Sequence, residues 1–483
     1  MRKAAKENLD KAVRRRAERI DADKFPNAFH PITRYSFSAL PRAMRAKAKR
    51  KAQTMHVKFY TLGCKVNQYE TDEMAQALTR AGFCVTENDK DAQVFVVNSC
   101  SVTAESDRKT RQTVRRLKRN FPDSTVVLTG CMPQAFPEKA RALDAADVVL
   151  GNRTNGCLFE ALQAFLQTRT RQFHVVAHRA GEPFCGGPIA HVTGRTRANL
   201  KIEDGCDRFC AYCIIPYARG RVRSKPVDVI REESETLARA GYRELVLVGI
   251  NLSAYGKDTG ESFADAVAAA ASPDAVARVR LGSLEPDHLT DELLRRLAKI
   301  QKLCGQFHIS LQSGCTRTLE RMNRHYTADE YAALCTALRQ RFPGCTLTTD
   351  MMVGFPGETE ADFLESVAFA QRIGFEKIHV FPYSVRPGTR AASFPGQLGK
   401  AEKERRAAVL LETAKRLRDR FFASQVGKTV EVLCEQKARD GACFGYTANY
   451  TPVRFTGGAA KPGDLVSVRL DGVGADCCEG EAR

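Results

Sequence analysis

The chain contains 483 residues, of which 43% are hydrophobic and 27% are charged, as in ordinary globular proteins of about three domains. No apolar run approaches the roughly 18 residues of a membrane-spanning helix, and the charged residues after Met1 do not form a secretory signal, so we expect a cytoplasmic protein with no membrane partner. The net charge of +19 indicates a polyanionic partner, and 17 cysteines indicate metal ligands or catalytic groups rather than disulfides.

The first 54 residues are predicted to form a flexible, basic extension. They contain 16 lysines and arginines against five aspartates and glutamates, so most of the excess positive charge lies there. A basic arm of this kind indicates a nucleic-acid partner. The alternative is a solvated tail that binds nothing.

Residues 55–165 alternate between strand and helix patterns, which predicts a doubly wound parallel sheet. Each of three predicted strands ends close to a cysteine, namely Cys64, Cys100 and Cys131. Because ligands of open parallel sheets bind at the carboxyl ends of the strands, we expect these three thiols to hold an iron–sulfur cluster. The alternative is three buried core cysteines, which are common. The predicted strands and helices are His56–Tyr60, Tyr69–Ala81, Gln93–Val97, Glu105–Arg119 and Ser124–Thr129.

Residues 166–195 are rich in glycine and proline and are predicted to be a linker. From residue 196 to residue 423 strands and helices alternate again, which predicts a partial (βα)6 barrel, open because a full barrel has eight units. The predicted strands are Asn199–Glu203, Glu244–Gly249, Arg278–Leu284, Gln306–Leu311, Thr346–Val353 and Lys377–Phe381.

Three cysteines with the spacing Cys-x3-Cys-x2-Cys follow the first strand of this barrel. They are Cys206, Cys210 and Cys213, all on one short loop. A [4Fe–4S] cluster normally takes four cysteines, so three thiolates would leave one iron open to a small chelating ligand. The alternative is a zinc site completed by a distant histidine or cysteine.

Residues 424–483 are predicted to form a small antiparallel β barrel. Alternation with a period of two at Lys428–Leu433 and Leu465–Leu470 is typical of half-buried strands. Tyr446, Tyr450 and Phe455 offer aromatic faces on which unpaired bases could stack. The alternative is that these rings belong to the barrel core.

Residues 55–483 resemble the methylthiotransferase branch of the radical S-adenosylmethionine (SAM) superfamily. The matching runs are Thr61–Thr71, Val97–Thr103 and Asp204–Gly220. Within that branch, residues 63–68 and 203–209 are most similar to the enzymes that act on N6-threonylcarbamoyladenosine (t6A) in tRNA.

The resemblance implies two [4Fe–4S] clusters, one on Cys64, Cys100 and Cys131 and one on the Cys206–Cys213 loop, with SAM at the second. It implies methylthiolation of C2 of t6A at position 37 of tRNA, with no catalytic residue beyond the clusters. It further implies that the terminal barrel is a TRAM domain, an RNA-binding module. The implied partners are the tRNA anticodon loop and an electron donor such as flavodoxin or ferredoxin.

Strand ends around the barrel mouth are expected to bind SAM. Each alone could be a turn or a helix cap, but several at one rim favour a ligand site. Arg386, in the loop after the sixth strand, could contact substrate or hold the loop. The basic residues of the predicted helix Glu105–Arg119 could face RNA phosphate or solvent. The expected SAM-binding residues are Gly249, Asn251, Ser283, Glu285, Gln312, Asp350, Gly354 and Gly357.

Two kinds of alternative function are compatible with the sequence. The same chemistry could act on N6-isopentenyladenosine in tRNA or on a ribosomal protein. A protein that is not an enzyme could instead use its clusters as redox sensors in RNA-binding regulation.

Overall fold

The computed structural model describes residues 55–192 and 194–483, and the predicted extension at residues 1–54 lies outside them. The described residues form a parallel sheet, an open half-barrel and a small closed barrel, in that order along the chain. None of their helices combines the length and the apolar character needed to cross a lipid bilayer.

The first part is a six-stranded, all-parallel sheet in the order β2-β1-β3-β4-β5-β6. Its two central strands are valine-rich and fully buried, as expected for parallel strands that are covered on both faces. The prediction of a doubly wound sheet is confirmed, and three short strands are added that were too short to show a periodic pattern. The strands are β1 (His56–Leu62), β2 (Cys84–Val85), β3 (Val94–Ser99), β4 (Thr125–Gly130), β5 (Val148–Leu150) and β6 (Gln172–His174).

Helices connect these strands, and the segment after them is tied to the first helix. The helices are α1 (Lys65–Arg80), α2 (Ala104–Asn120), α3 (Cys131–Ala135), α4 (Pro137–Arg141) and α5 (Leu158–Thr168), with a 3₁₀ helix at Asn152–Cys157. Strand β6 lies inside the segment predicted to be a linker. Further along that segment, the Gly187 amide donates to Glu73 Oε1 at 2.6 Å and the Ala190 amide donates to Gln76 Oε1 at 2.9 Å.

The second part is an open half-barrel of six parallel strands, as the sequence predicts. The third strand is interrupted at Gly282, so that its first half pairs with the strand before it and its second half with the strand after it. The strands are β7 (Arg197–Lys201), β10 (Glu244–Val248), β11 (Arg278–Leu281) with β12 (Ser283–Leu284), β13 (Gln306–Ile309), β14 (Thr346–Val353) and β15 (Lys377–Pro382). A separate antiparallel pair, β8 (Glu203–Asp204) and β9 (Arg223–Ser224), brackets the cysteine loop.

Helices cover the outer face of the half-barrel, and local sequence explains where two of them begin. Thr327 with Glu330, and Thr359 with Asp362, form capping boxes at the starts of α11 and α12, which satisfies amide groups that have no helical acceptor. The helices are α6 (Ile215–Arg219), α7 (Val227–Arg239), α8 (Phe263–Ala271), α9 (Asp291–Leu297), α10 (Thr316–Arg321), α11 (Ala328–Arg341), α12 (Glu360–Ile373) and α13 (Lys400–Ala423). Short 3₁₀ helices lie at Leu252–Ala254, Pro286–His288 and Arg390–Ser393.

The third part is a closed five-stranded barrel in the order β16-β17-β18-β20-β19. Four of its pairings are antiparallel, but β18 and β20 are parallel, which differs from the expectation of an antiparallel barrel. A closed ring with an odd number of strands cannot alternate direction throughout, so one parallel pair is required. The strands are β16 (Thr429–Lys437), β17 (Cys443–Thr447), β18 (Pro452–Thr456), β19 (Leu465–Val473) and β20 (Cys478–Ala482).

The closed barrel covers the amino-terminal ends of the half-barrel strands. Arg280 on β11 donates to the Thr447 carbonyl at 3.1 Å and to the Ala448 carbonyl at 2.9 Å. The hydroxyl of Thr346 at the start of β14 donates to the Asn449 carbonyl at 2.7 Å. One turn of the closed barrel therefore plugs one end of the half-barrel.

A buried charge cluster joins the first sheet to the half-barrel. Arg219, at the end of α6, binds both carboxylate oxygens of Glu70 on α1. Lys201 on β7 contacts Glu70 at 3.1 Å and Asp204 at 2.7 Å, and Arg223 contacts Asp204 at 3.4 Å. Although burial opposes ionisation, Lys201, Arg219 and Arg223 together hold the pKa of Asp204 well below its usual value.

A second buried ion pair joins the same two parts at a different point. Arg386, in the loop after β15, donates to Asp107 Oδ2 on α2 at 2.7 Å, and both side chains are buried. Of the two roles considered for Arg386, the structure shows that of holding the loop against the first sheet.

We expect Glu70→Gln to lower the free energy of unfolding by about 3–5 kcal/mol, because it leaves Arg219 and Lys201 buried with Asp204 as their nearest remaining counter-charge. Urea denaturation of anaerobically prepared protein, followed by circular dichroism, measures this change.

Glu404→Gln is the matched control. Glu404 pairs with Lys400 at 3.6 Å on the exposed face of α13, where ion pairs contribute little to stability. Equal denaturation midpoints for the two variants would show that the buried cluster does not hold the parts together.

Candidate metal centres

Cys64, Cys100 and Cys131 lie together at the carboxyl edge of the first sheet. The register aligns Leu62 of β1 with Ser99 of β3, and Ser99 with Gly130 of β4. Cys100 and Cys131 are therefore the next residues on adjacent strands, which lie about 4.8 Å apart. Cys64 follows β1 by two residues and forms the N-cap of α1.

The three thiols are close enough to affect one another's ionisation. Burial, together with the neighbouring Cys131 and Cys64, raises the pKa of Cys100 to about 12. Burial also raises the pKa of Cys64, with Arg219 opposing and Cys131 adding to the effect. Cys64 is exposed and lines a cavity. A positively charged metal group bound between these clustered sulfurs would offset the repulsion that opposes ionisation of Cys64 and Cys100.

The backbone beside these cysteines requires glycine. Gly130 has φ +97°, and a Cβ at this position would lie 2.5 Å from the Ser99 carbonyl oxygen. A Cβ at Gly63 would lie 2.2 Å from Asn67 Oδ1. Because neither position accepts a side chain without displacement of its neighbours, the cysteines that follow them are held in fixed places.

Two of these sulfurs accept hydrogen bonds from nitrogen. The Val102 amide lies 3.5 Å from Cys100 Sγ, and Asn152 Nδ2 lies 3.6 Å from Cys131 Sγ. Hydrogen bonds to the sulfurs are a usual feature of iron–sulfur sites. The donor set around these three thiols therefore fits an iron–sulfur cluster.

The second set of cysteines lies on the loop between β8 and α6. Gly205 opens the loop with φ +91°, and a Cβ there would lie 1.9 Å from the Arg221 carbonyl oxygen. The Cys206 amide donates to the Gly220 carbonyl at 3.0 Å, and the Cys213 amide donates to the Cys210 carbonyl at 3.0 Å. These bonds fold the loop back on itself, so that its three thiols form one group.

The electrostatics of this loop resemble those of the first set. Burial raises the pKa of Cys206 to about 12, with Cys210 adding to the shift. Burial raises the pKa of Cys213 as well, and Cys210 and Cys206 contribute. Asn251 Nδ2 lies 3.7 Å from Cys206 Sγ, so a nitrogen donor faces a sulfur here too.

Arg324 is a site residue that the sequence analysis missed. Its guanidinium is buried and lies 3.3 Å from Cys210 Sγ, and it donates to Glu285 Oε2 at 2.6 Å and to the Ser310 carbonyl at 2.9 Å. It therefore positions Glu285 beside the cysteine loop. It lies between α10 and α11, away from the cysteine motif and from any strand end, so the sequence gives no sign of its role.

The expected SAM-binding residues occupy different places around the rim. Asn251 and Glu285 lie near the cysteine loop, and Ser283 lies on β12, which ends just before Glu285. Asn251 Oδ1 is buried without a hydrogen-bond partner among the described residues. An orphaned buried acceptor of this kind fits a donor from a bound ligand. Gly249 lies close to the carboxylate of Glu203, where a Cβ would be 2.6 Å from Oε2.

The other expected SAM-binding residues lie further around the rim, on the later strands. The Gln312 amide donates to the Asp350 carbonyl at 2.8 Å, so these two residues are adjacent. Gly354 and Gly357 have positive φ, and the side chains of Lys403 and Arg321 occupy the space where their Cβ atoms would lie. The structure therefore packs protein side chains against these two glycines.

The three aromatic residues proposed for base stacking are packed inside the protein or at a junction between its parts. Phe455 is 1% exposed in the core of the closed barrel, so the alternative of barrel core holds for this residue. Tyr450 stacks on Tyr446 with a centroid distance of 4.5 Å, and the guanidinium groups of Arg197 and Arg280 lie 5.1 and 4.6 Å from the Tyr450 ring. Both tyrosines therefore belong to the junction with the half-barrel.

A short helix connects the two sets of cysteines. Helix α6 begins two residues after Cys213, and its last residue, Arg219, acts electrostatically on both Cys64 and Cys131. Asn152 donates both to Cys131 Sγ and to the Ala218 carbonyl on α6, the latter at 2.9 Å. Five helical residues span about 7.5 Å, so the two sets lie at opposite ends of a short helix.

Comparison with known proteins divides the chain in the same order as the fold. Residues 56–151 match uncharacterized protein family UPF0004, residues 200–370 match the radical SAM superfamily, and residues 423–481 match the TRAM domain. Among solved structures, the radical SAM methyltransferase TsrM from Kitasatospora setae is similar in fold, with a TM-score of 0.51 and 16% identity over 70% of this chain and 74% of that one.

Several relatives align with most of the chain. The threonylcarbamoyladenosine tRNA methylthiotransferase MtaB of Thermotoga maritima is 36% identical over 86% of this chain and 94% of its own length. MtaB of Bacillus subtilis is 34% identical over 88% and 96%. The tRNA-2-methylthio-N(6)-dimethylallyladenosine synthase of Acetivibrio thermocellus is 32% identical over 87% and 89%.

Proposed function

Because this chain belongs to the methylthiotransferase family of radical SAM enzymes, we propose that it methylthiolates C2 of N6-threonylcarbamoyladenosine at position 37 of tRNA. The product is 2-methylthio-N6-threonylcarbamoyladenosine. Relatives that carry this activity in their names match the chain at 34–36% identity over most of their length.

The observation that carries the proposal is the pair of three-cysteine sites. We assign one [4Fe–4S] cluster to the Cys206–Cys213 loop and a second to Cys64, Cys100 and Cys131. Each set combines mutually interacting thiols with nitrogen donors to sulfur. Three protein ligands at each cluster leave one iron open. On the Cys206–Cys213 loop this iron would bind SAM, and at Cys64, Cys100 and Cys131 it would bind a sulfur species.

When bound, SAM and its cluster would supply a 5′-deoxyadenosyl radical, and the other cluster would supply sulfur. The protein positions and shields these groups. Arg324 holds Glu285 and contacts Cys210, and Asn251 contacts Cys206. We propose that Asn251, Ser283 and Glu285, with Gly249, Gln312, Asp350, Gly354 and Gly357 around the rim, hold SAM. An anticodon-loop base is unpaired, so it can leave its stack and enter the space between the two clusters at low energetic cost.

The domain assignment follows the same proposal. Residues 55–165 form the methylthiotransferase domain, 166–195 a connecting segment, 196–423 the radical SAM barrel and 424–483 the RNA-binding TRAM domain. The anticodon loop of tRNA is the substrate partner. An electron donor protein such as flavodoxin or ferredoxin supplies the reducing electron.

Deletion of the gene removes 2-methylthio-t6A from tRNA and leaves t6A, in a strain with no second enzyme of this kind. Mass spectrometry of nucleosides from digested tRNA measures both. Loss of the 2-methylthio derivative of isopentenyladenosine instead would assign the chain to the other tRNA branch, which some relatives represent. Retention of both derivatives would contradict a tRNA substrate.

The two cysteine sets have separable tasks. Cys206→Ala abolishes formation of 5′-deoxyadenosine from SAM under dithionite, while Cys100→Ala retains it and stops methylthiolation. The exposed Cys84 lies outside both sets, and Cys84→Ala is the matched control with normal product formation. If both site variants lose SAM cleavage while each keeps the iron of its other cluster, this division of tasks is wrong.

The exposed face of α2 is proposed to bind tRNA phosphate. Lys109, Arg115 and Arg119 are exposed, and within the described residues none has a carboxylate partner within 4 Å. The helix begins four residues after Cys100, so its amino-terminal end lies near the first cysteine set.

We expect alanine at Lys109, Arg115 and Arg119 together to weaken tRNA binding and to reduce its salt dependence by up to about one logarithmic unit of slope per lost phosphate contact. Filter binding across a salt series measures both quantities. The control replaces three exposed cations on the outside of the half-barrel, namely Arg231, Arg239 and Lys299. Equal effects of the two triple variants would contradict a specific role for α2.

A further inference from the structure

A cavity of about 420 Å³ lies beside Cys64, where the three parts of the fold meet. Cys64 and Lys65 line it from the start of α1, Asn199 lines it from β7, and Tyr450 lines it from the closed barrel. A group in this cavity would therefore lie next to the first cysteine set and at the edge of the inner face of the half-barrel.

Lys65 points into the region between the cysteine set and the half-barrel strands. Although burial raises the pKa of Tyr450, Arg197 and Lys65 together lower it, so the Lys65 ammonium lies near the end of the half-barrel where Tyr450 packs. It is accessible from the cavity. A ligand group that enters the cavity would therefore come within reach of this ammonium group.

The cations around the cavity differ in how they are paired. Arg195 contacts Asp72 at 2.8 Å, and Arg197 contacts Glu435 at 2.6 Å. Lys65 has no carboxylate within 4 Å in the part of the chain that the structure describes. An ammonium group without a counter-ion at the wall of a cavity favours an anionic ligand.

A second polar group faces the same space. Asn199 is 8% exposed, yet its side-chain amide makes no hydrogen bond to any residue between 55 and 192 or between 194 and 483. A primary amide offers two donors and an acceptor. The cavity thus presents a cation and an amide that the protein itself leaves for a ligand.

Among substituents on N6 of adenosine, the threonylcarbamoyl group matches these features. It carries a carboxylate, a hydroxyl and a ureido group, whereas the dimethylallyl group is wholly apolar. The N6 substituent projects from the adenine ring only a few bonds from C2, the position that must approach the cysteine set. Burial of an apolar substituent against the Lys65 ammonium would desolvate that charge without replacing its hydrogen bonds.

We infer that Lys65 binds the carboxylate of the N6-threonylcarbamoyl group and that the Asn199 amide hydrogen-bonds its ureido or hydroxyl oxygen. This inference rests on the proposed function and names the residues that select its substrate. A charged hydrogen bond of this kind corresponds to about tenfold to a hundredfold in affinity. The same contact rejects an apolar N6 substituent, because the ammonium would be left without a partner.

The test measures anaerobic binding of three anticodon stem-loop RNAs that differ only at position 37. One carries t6A, one carries the methyl ester of t6A, and one carries unmodified adenosine. We expect the cluster-loaded wild-type protein to bind the t6A RNA about tenfold to a hundredfold more tightly than the ester. Lys65→Met should abolish that preference and leave binding of unmodified RNA unchanged, whereas Lys65→Arg should restore part of it.

Lys90→Met is the matched control, since Lys90 is exposed in the same domain but outside the cavity. Iron content and the absorption spectrum establish that each variant is folded and loaded. If Lys65→Met is not loaded, Lys65→Gln takes its place as the variant without the charge, and the comparison of acid and ester on wild-type protein decides whether the carboxylate is recognised at all.

Three outcomes would overturn the inference: no preference of the wild type for the acid, a preference that survives in Lys65→Met, or equal weakening of all three RNAs. The last would make Lys65 a phosphate contact. If only the inference about Lys65 is wrong, deletion of the gene still removes 2-methylthio-t6A from cellular tRNA. If the proposed function is wrong, deletion of the gene leaves 2-methylthio-t6A in place.

Discussion

The buried contact between Arg219 and Glu70 is the interaction on which the arrangement of both cysteine sets depends. Glu70 lies on the helix that begins beside Cys64, and Arg219 ends the helix that begins just after Cys213. A charge pair in a desolvated interior holds its geometry tightly, because loss of either partner leaves an uncompensated charge. The pair therefore fixes the distance between two sites that distant parts of the chain supply.

The closed barrel completes the chamber from the opposite end. Its turn from Thr447 to Tyr450 occupies the amino-terminal ends of the half-barrel strands, where Arg280 binds two of its carbonyl groups. This plug blocks the access of bulk water to the inner face of the half-barrel from that end. In such an environment a radical is protected and charged contacts are stronger than at a surface.

Much of the fold and the six cysteines follow from local sequence. Valine-rich strands such as β3 and β4 are buried on both faces, and the spacing around Cys210 is confined to one loop, so both leave a direct trace in the sequence. The contacts of Arg324 and the pairing of Arg219 with Glu70 leave no such trace. Hydrophobic periodicity predicts which residues are buried, but it does not predict which distant side chain each one contacts. The sequence leaves the role of the aromatic rings in the last domain open for the same reason, since Phe455 in a small barrel has the pattern of either core or surface.

The most direct test of two three-cysteine sites is the anaerobic count of iron and acid-labile sulfide per chain. The account predicts about eight of each for the wild-type protein and about four of each when either Cys64 or Cys206 is replaced by alanine. A count of about four in the wild type, unchanged by Cys64→Ala and abolished by Cys206→Ala, would mean that the first set binds no cluster. That result would contradict the account.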